Sequence, residues 1–173
     1  TINPGARLHL FQGGQAVGTG LRFDDGVNQD WDITHGFGLR FHFGGELRSF
    51  INATTGAYTQ SSDARLKTDA EPIGTVLPNL LHLKALSYRY KNAVTTEKTL
   101  GFMAQDAQKL FPELVHYSEA DNLYGINYAG FSVIAIKAIQ EQQQVIEQQQ
   151  NTIEDLQKRL EILEKIILEN QKK

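Results

Sequence analysis

Apolar residues recur every seven positions over the last part of this 173-residue chain, and this repeat constrains the fold more than any other feature. The repeated residues are Ile139, Ile146, Ile153, Leu160 and Ile167, and three positions after each come Gln142, Gln149, Leu156, Leu163 and Asn170. These are the a and d positions of a coiled coil. The repeat predicts one long helix over residues 131–173, which must associate because its apolar stripe would otherwise face water.

The number of associating helices does not follow from this repeat alone. Ile at a with Leu at d permits a dimer, whereas buried Gln residues at d lower stability and can fix register and strand number. The polar face carries Glu and Gln rather than a band of Lys and Arg, which argues against a helix that lies on a membrane.

Residues 1–60 predict a Gly-rich β segment. Alternation of apolar and polar residues indicates strands at 7–11, 21–23, 37–43 and 47–51, separated by glycine-containing turns. Strands this short form a marginal fold alone. We therefore expect this segment to be the end of a longer β-structured fibre, completed by neighbouring copies or by preceding sequence; the start at Thr1 rather than Met fits that expectation.

Residues 61–130 predict a small mixed domain. Helical spacing begins after Glu71-Pro72-Ile73, and further elements follow as strands at 86–90 and 99–103, a helix at 104–110 and a hairpin of 114–117 with 124–128. The predicted fold class is α+β, with domains 1–60, 61–130 and 131–173.

Composition excludes several kinds of partner. Lys+Arg number 17 against 20 Asp+Glu, a net charge of −3 with no basic block, so nucleic-acid binding is not supported. No apolar run approaches the roughly 20 residues that span a bilayer, and no cysteine is present. Asp24, Asp25, Asp30 and Asp32 read as solvated turn carboxylates rather than a calcium loop. No metal or cofactor is predicted.

The junction between the first two predicted domains is Ser61-Ser62-Asp63-Ala64-Arg65-Leu66-Lys67-Thr68-Asp69. Taken alone, a serine and a lysine in such a polar segment are most often solvated surface. Chemically, a serine hydroxyl becomes a good nucleophile once a base takes its proton, and a lysine serves as that base when burial favours its uncharged form.

Three motifs in order give this part of the chain a family resemblance. Ser62-Asp63-x-Arg65-x-Lys67-x-Asp69 comes first, residues 101–106 with 110–115 follow, and residues 124–128 precede the long helix. Together they resemble the intramolecular chaperone domains of phage tail spikes and tail fibres, the endosialidase type. The resemblance covers about residues 61–170.

The resemblance implies a homotrimer that assists folding of its own upstream fibre segment and then cuts itself away as a single-turnover serine peptidase. Ser62 would be the nucleophile and Lys67 the general base. Cleavage between Ser61 and Ser62 and cleavage between Ser62 and Asp63 both stay open, as does the oxyanion partner, for which Asn127, Gln105 or a backbone N–H would serve.

The sequence therefore predicts a C-terminal chaperone of a phage virion tail fibre, or of a bacterial fibre or surface protein, that releases itself by serine–lysine autoproteolysis. The alternative is a purely structural trimerisation and attachment module without proteolytic activity. An assay of cleavage separates the two.

Overall fold

The structure, a computed structural model, describes residues 12–14, 16–24, 26–27, 30–91 and 94–171. The chain forms two compact units, of which the first ends at Glu71 and the second begins at Pro72. Together they contain an antiparallel sheet, small hairpins and a long C-terminal helix, so the predicted α+β class is confirmed.

The first unit is a five-stranded antiparallel sheet in which each strand pairs with the next along the chain. Its strands are β1 (Leu21–Phe23), β2 (Trp31–His35), β3 (Gly38–Phe43), β4 (Glu46–Asn52) and β5 (Tyr58–Gln60). The strands predicted at 21–23, 37–43 and 47–51 are confirmed, and the strand predicted at 7–11 lies outside the described residues. Strands β2 and β5 were not predicted.

The turn between β3 and β4 shows how the glycines of this unit act. Gly44 and Gly45 have φ angles of 58° and 83°, and Phe43 pairs with Glu46 across them. A two-residue hairpin turn whose central residues both have positive φ follows the natural twist of antiparallel strands, and glycine adopts that conformation without a steric penalty. The predicted Gly-Gly turn is confirmed.

The two faces of this sheet differ in an unusual way. Pairing aligns apolar side chains on one face, and those with large exposed fractions are Leu21, Phe23, Trp31, Leu39, Ile51 and Tyr58. On the other face Asp32, Thr34 and His42 are almost completely buried. In the described part of this unit, the most buried side chains are thus polar, whereas large apolar side chains on the opposite face are exposed to solvent.

Those buried polar groups bind one another. Arg22 Nε donates to Asp32 Oδ1 at 3.0 Å, and Thr34 Oγ1 lies 3.1 Å from His42 Nε2. Burial lowers the pKa of His42, and the positive charge of Arg40 lowers it further. Hydrogen bonding compensates for the loss of water around these groups.

The second unit contains three helices and two hairpins. Its elements are α1 (Leu77–His82), β6 (Leu86–Tyr88), β7 (Thr99–Gly101), α2 (Ala104–Leu110), a 3-10 turn (Pro112–Leu114), β8 (Val115–Ser118), β9 (Leu123–Ile126) and α3 (Tyr128–Asn170). Strand β6 pairs with β7, and β8 pairs with β9, both antiparallel. The predicted strands, the helix at 104–110 and the hairpin are confirmed.

This unit has a conventional apolar core, formed where the first turns of α3 meet α1, α2 and the 3-10 turn. Its buried members are Val76, Ala107, Phe111, Leu114, Phe131, Ile134 and Ala138. Phe111 and Phe131 meet edge to face with their ring centroids 5.6 Å apart, a favoured aromatic geometry.

Helix α3 continues far beyond that core. It has 43 residues and a length on the order of 60 Å, and it begins at Tyr128, three residues before the predicted start. The Asn127 side chain caps it by accepting a hydrogen bond from Gly130 N at 3.1 Å. Every residue from 142 to 170 is exposed. No helix in the described part of the chain is both long and apolar enough to cross a membrane.

The predicted helix start after Glu71-Pro72-Ile73 is wrong. Helix α1 begins at Leu77, and Pro78 occupies its first turn, where a proline loses no intrahelical hydrogen bond. The start is fixed from a distance, because the Glu141 carboxylate of α3 accepts hydrogen bonds from Val76 N and Leu77 N.

Candidate functional site

The structure brings Ser62 and Lys67 together at the end of the first unit. Lys67 Nζ donates a hydrogen bond of 2.7 Å to Ser62 Oγ. Both residues are exposed in the single chain. The two side chains whose types fit a nucleophile and its base thus lie within hydrogen-bonding reach, the first geometric requirement for such a pair.

A single 3-10 turn, Ala64–Leu66, creates this proximity. Leu66 N donates to Asp63 O and Lys67 N donates to Ala64 O, each at 3.1 Å. Because a 3-10 helix turns once in about three residues, the chain after the turn comes back beside the residues before it. In this structure one such turn thus spans the five positions between the serine and the lysine.

Asp63 and Arg65 hold the turn in shape. Asp63 Oδ1 accepts hydrogen bonds from Arg65 N at 2.9 Å and Arg65 Nε at 3.0 Å, and its Oδ2 accepts from the guanidinium at 2.7 Å. These hydrogen bonds from Arg65 hold the pKa of Asp63 below its ordinary value. Arg65 thus pairs with the carboxylate two residues before it in the chain.

The three residues of the predicted cleavage site, Ser61, Ser62 and Asp63, follow directly after β5. This strand is the last in the order of the sheet, and Gln60 is its last residue paired with β4. One further hydrogen bond, from Ser61 N to Arg48 O at 2.9 Å, extends the ladder into the site. Ser62 is thus the first residue after the hydrogen-bonded part of this strand.

The hydrogen bond between the two side chains has a direction that bears on chemistry. Lys67 is the donor and Ser62 the acceptor in this contact, whereas a general base must accept the proton of the serine hydroxyl. To receive the serine proton the amine must be uncharged, and removal from water favours that form. The distance between Lys67 Nζ and Ser62 Oγ is short enough for a catalytic dyad. Both side chains are exposed to water in the single chain, so the desolvation that would favour an uncharged amine is missing.

The residues considered for an oxyanion partner lie in the second unit. Gln105 is in the first turn of α2, and Asn127 is the residue that caps α3. Asn127 also donates its backbone N–H to Leu114 O at 2.8 Å. Its carboxamide oxygen therefore has a structural role at the start of the long helix.

The central motif, which begins at Gly101, joins β7 to α3. Phe102 N donates to Tyr128 Oη at 3.0 Å, and the Phe102 ring stacks on that of Tyr128 with centroids 6.0 Å apart. A side chain at position 101 would collide with Tyr128 Oη and crowd the ring of Tyr88. Glycine is required there so that the aromatic side chains can approach the backbone.

A groove of about 490 Å³ beside this joint was not predicted from the sequence. Its aromatic lining includes Tyr88, Tyr90 and Tyr128, and Arg89 and Lys91 add positive charge. A hydrogen bond to Tyr90, together with burial, raises the pKa of Tyr88 to about 12, so this phenol stays neutral. Three tyrosines placed around two short strands were the only sequence signal for it.

Among the residues that the structure describes, no three or more His, Asp or Glu side chains converge. The sequence interpretation of Asp32 as a solvated turn carboxylate is wrong, because Asp32 lies within β2 and is buried against Arg22.

Comparison with known proteins agrees with the motif series. Residues 62–116 match a peptidase family described as chaperone of endosialidase. The match supports an endosialidase-type chaperone domain in this part of the chain. The matched residues include Ser62, Lys67 and Gly101, and they extend from the end of the first unit into the second.

One relative of this chain is a tail fibre protein. The chain is 29% identical over 115 residues to the long tail fiber protein Gp37 of Enterobacteria phage Ox2. The alignment covers 62% of this chain and 46% of the relative. The chain thus spans a little under half the length of the tail fibre protein that it matches.

Proposed function

We propose that this chain is the C-terminal intramolecular chaperone of a phage tail fibre, which trimerises, assists folding of the β-structured segment before it and then releases itself by cleavage beside Ser62. The observation that carries the proposal is the 2.7 Å hydrogen bond between Lys67 Nζ and Ser62 Oγ, at the start of the residues that match the chaperone family. The tail fibre relative supports a location in the virion.

Two exposed apolar surfaces support self-association into a trimer. Helix α3 presents Ile146, Ile153 and Leu160 to water, with about half of each side chain exposed. The sheet of the first unit leaves its apolar face open as well. Three parallel helices would hold three β segments at high local concentration and in the same register, which favours slow pairing between chains.

In the cleavage step, Lys67 as a free amine takes the proton of Ser62 Oγ, and that oxygen attacks the carbonyl carbon of Ser61. The bond from Ser61 C to Ser62 N breaks as an ester to Ser62 Oγ forms. The proton held by Lys67 passes to the departing amine of Ser62. Water then hydrolyses the ester, which leaves a carboxylate on Ser61 and restores the hydroxyl of Ser62.

The second possible bond, between Ser62 and Asp63, requires a different approach of the nucleophile. A hydroxyl from another copy in the trimer would attack the carbonyl carbon of Ser62. The two routes give fragments that differ by one serine residue. Their masses therefore identify the bond.

Assembly is proposed as the switch for this reaction. In the single chain Ser62 and Lys67 are exposed, and water stabilises the charged ammonium. A neighbouring copy that covers the turn would remove this water and favour the free amine. Dilution of the trimer to monomers should then stop cleavage, and cleavage by monomers at an unchanged rate would contradict the switch.

The experiment that tests the function is intact-mass spectrometry of the freshly purified trimer beside Ser62→Ala and Lys67→Met. We expect two fragments that meet at Ser62 in the parent and one uncut chain in each variant. Matched controls are Thr68→Ala, which removes an exposed hydroxyl beside Lys67, and Lys84→Met, which removes an exposed lysine of the second unit. Both controls should cleave as the parent does.

An uncut parent under conditions in which it is trimeric would overturn autoproteolysis. The exposed position of the Ser62–Lys67 pair would then favour the alternative, a structural trimerisation and attachment module of the fibre. Cleavage that persists in Ser62→Ala would instead point to a contaminating protease.

A further inference from the structure

We propose that the exposed part of α3 binds second copies of this chain in parallel and in register, and that Arg159 of one copy pairs with Glu164 of the next. This inference deepens the proposed trimerisation and rests on it. It identifies the residues that set the direction and alignment of the helices, which the heptad repeat leaves open.

The charges at the edges of the apolar stripe carry the argument. In the heptad frame, the residues at e are Gln143, Gln150, Gln157, Glu164 and Gln171, and those at g are Val145, Thr152, Arg159 and Ile166. Among these edge positions only Arg159 and Glu164 are charged. Charge pairing between the edges of neighbouring helices therefore depends on one basic and one acidic residue, five positions apart.

Parallel helices in register bring each g residue beside the e residue five positions later on the neighbouring helix. Arg159 then faces Glu164 of the next copy, and in a closed trimer the same pair forms three times. The remaining g-to-e pairs combine Val, Thr or Ile with Gln and are neutral. Association in register therefore gives every charged edge residue an opposite charge.

Other arrangements lose this pair. In antiparallel coils g residues face g residues, so Arg159 would meet only Val, Thr, Ile or another Arg. A shift of one heptad would place Arg159 beside Gln157 or Gln171 of the neighbour. It would also set a polar Gln149 layer against the apolar Leu156 layer, which costs stability because a buried amide would lack an equal partner.

In the single chain neither Arg159 nor Glu164 forms a strong contact with another described residue. Arg159 lies 3.9 Å from Asp155 one turn earlier on the same helix, and both side chains are about 70% exposed. Exposed pairs of this kind contribute little. The d positions nearby are Leu156 and Leu163, so the proposed pair flanks the most apolar layers of the seam and is partly shielded there.

The test is a double-mutant cycle on the full chain, with thermal unfolding followed by circular dichroism at one fixed protein concentration and the assembly followed by native mass spectrometry. Arg159→Glu and Glu164→Arg should each lower the midpoint of helix unfolding by roughly 5 °C. The double variant restores opposite charges and should recover most of that loss.

Matched controls reverse charges beside the pair but away from the seam. Lys158→Glu and Glu161→Arg lie at f and b positions and should shift the midpoint by no more than about 2 °C. The midpoint of thermal unfolding depends on protein concentration when the protein associates. All variants must therefore be compared at the same protein concentration.

Single reversals without effect, or a double variant that simply sums the two losses, would overturn the Arg159–Glu164 pair while the assembly itself stands. A parent chain that stays monomeric at high concentration would instead overturn the proposed trimer. The two failures are distinguished by the mass of the parent assembly.

Discussion

The two units of this chain bury opposite kinds of side chain. In the second unit Phe111 and Phe131 lie in an apolar core, each less than 10% exposed. In the described part of the first unit the most buried side chains are Asp32 and Thr34, while Phe23 is 57% exposed. The second unit has a hydrophobic core within one chain, whereas the described part of the first unit leaves large apolar side chains exposed.

This difference corresponds to the proposed division of labour. A domain that assists folding must fold before its client, so it needs a core that one chain can supply. A fibre segment whose apolar face is open in one chain gains its stability when other chains cover that face. We therefore expect the stability of the first unit, far more than that of the second, to depend on assembly.

The largest effect should come from separating the units. Residues 72–173 expressed alone should unfold in one cooperative transition with a strong helical signal, because the entire apolar core is retained. Residues 1–71 alone should show no cooperative transition, because their apolar face stays open. Circular dichroism during heating measures both.

Cooperative unfolding of residues 1–71 as a monomer would remove the contrast between the units. A fragment 72–173 without a transition would mean that the second unit also depends on the first.

A pair of phenylalanine substitutions should sharpen the contrast. Phe131→Ala removes a buried ring from the core and should lower the free energy of unfolding of the second unit by about 3–5 kcal/mol. Phe23→Ala changes an exposed ring and should leave the free energy of unfolding of the monomeric full chain within about 1 kcal/mol of the parent's value. Denaturant titration of each variant gives these values.

The same Phe23→Ala variant should cost more in the trimer than in the monomer if assembly covers the apolar face of the sheet. Equal costs in both states would show that this face stays in contact with water.

The smallest effect concerns the carboxylate that joins α1 to α3. Hydrogen bonds from Leu77 N and Val76 N lower the pKa of Glu141 below its ordinary value of 4.5. A group with a lowered pKa in the folded state stabilises the fold above the unfolded pKa and loses that contribution as the pH falls through the folded pKa. Glu141→Gln should therefore lower the melting temperature slightly at pH 7, and this difference should shrink as the pH falls below 4.5 and through the lowered folded pKa.

Glu147→Gln is the control for this experiment, because Glu147 accepts a hydrogen bond only on the exposed surface of α3, from Gln143. A difference between Glu141→Gln and the parent that stays constant from pH 7 to pH 3 would show that shape rather than charge is responsible.

Local patterns were enough to predict much of the fold. Alternation identified β3 and β4, and the seven-residue repeat identified α3. What failed depends on distant contacts: the start of α1 is set by Glu141, about 65 residues later, and a search of neighbouring residues cannot find it. Strand β5 was missed because its three residues are exposed and are held only by pairing with β4.

The site was predicted as a pair of residues but not as a structure. The motif placed Ser62 and Lys67 five positions apart, whereas the 3-10 turn that brings them together and the Asp63–Arg65 clasp that holds it were not foreseen. A 3-10 turn of three residues leaves no periodicity to detect. We propose that neighbouring copies exclude water from the pair, and contacts between copies leave no local pattern in the sequence.

The hydrogen bond from Ser61 N to Arg48 O has a consequence for the mature fibre. Cleavage after Ser61 would place the new C-terminus at the last hydrogen-bonded residue of the β ladder. No unpaired residues would remain beyond it, and no hydrogen bond of the sheet would be lost. The terminal carboxylate would sit on the outermost strand, and a charge at an open strand edge discourages further strands from adding there. The proposed release of the chaperone would thus also disfavour edge-to-edge association of the sheet with other strands.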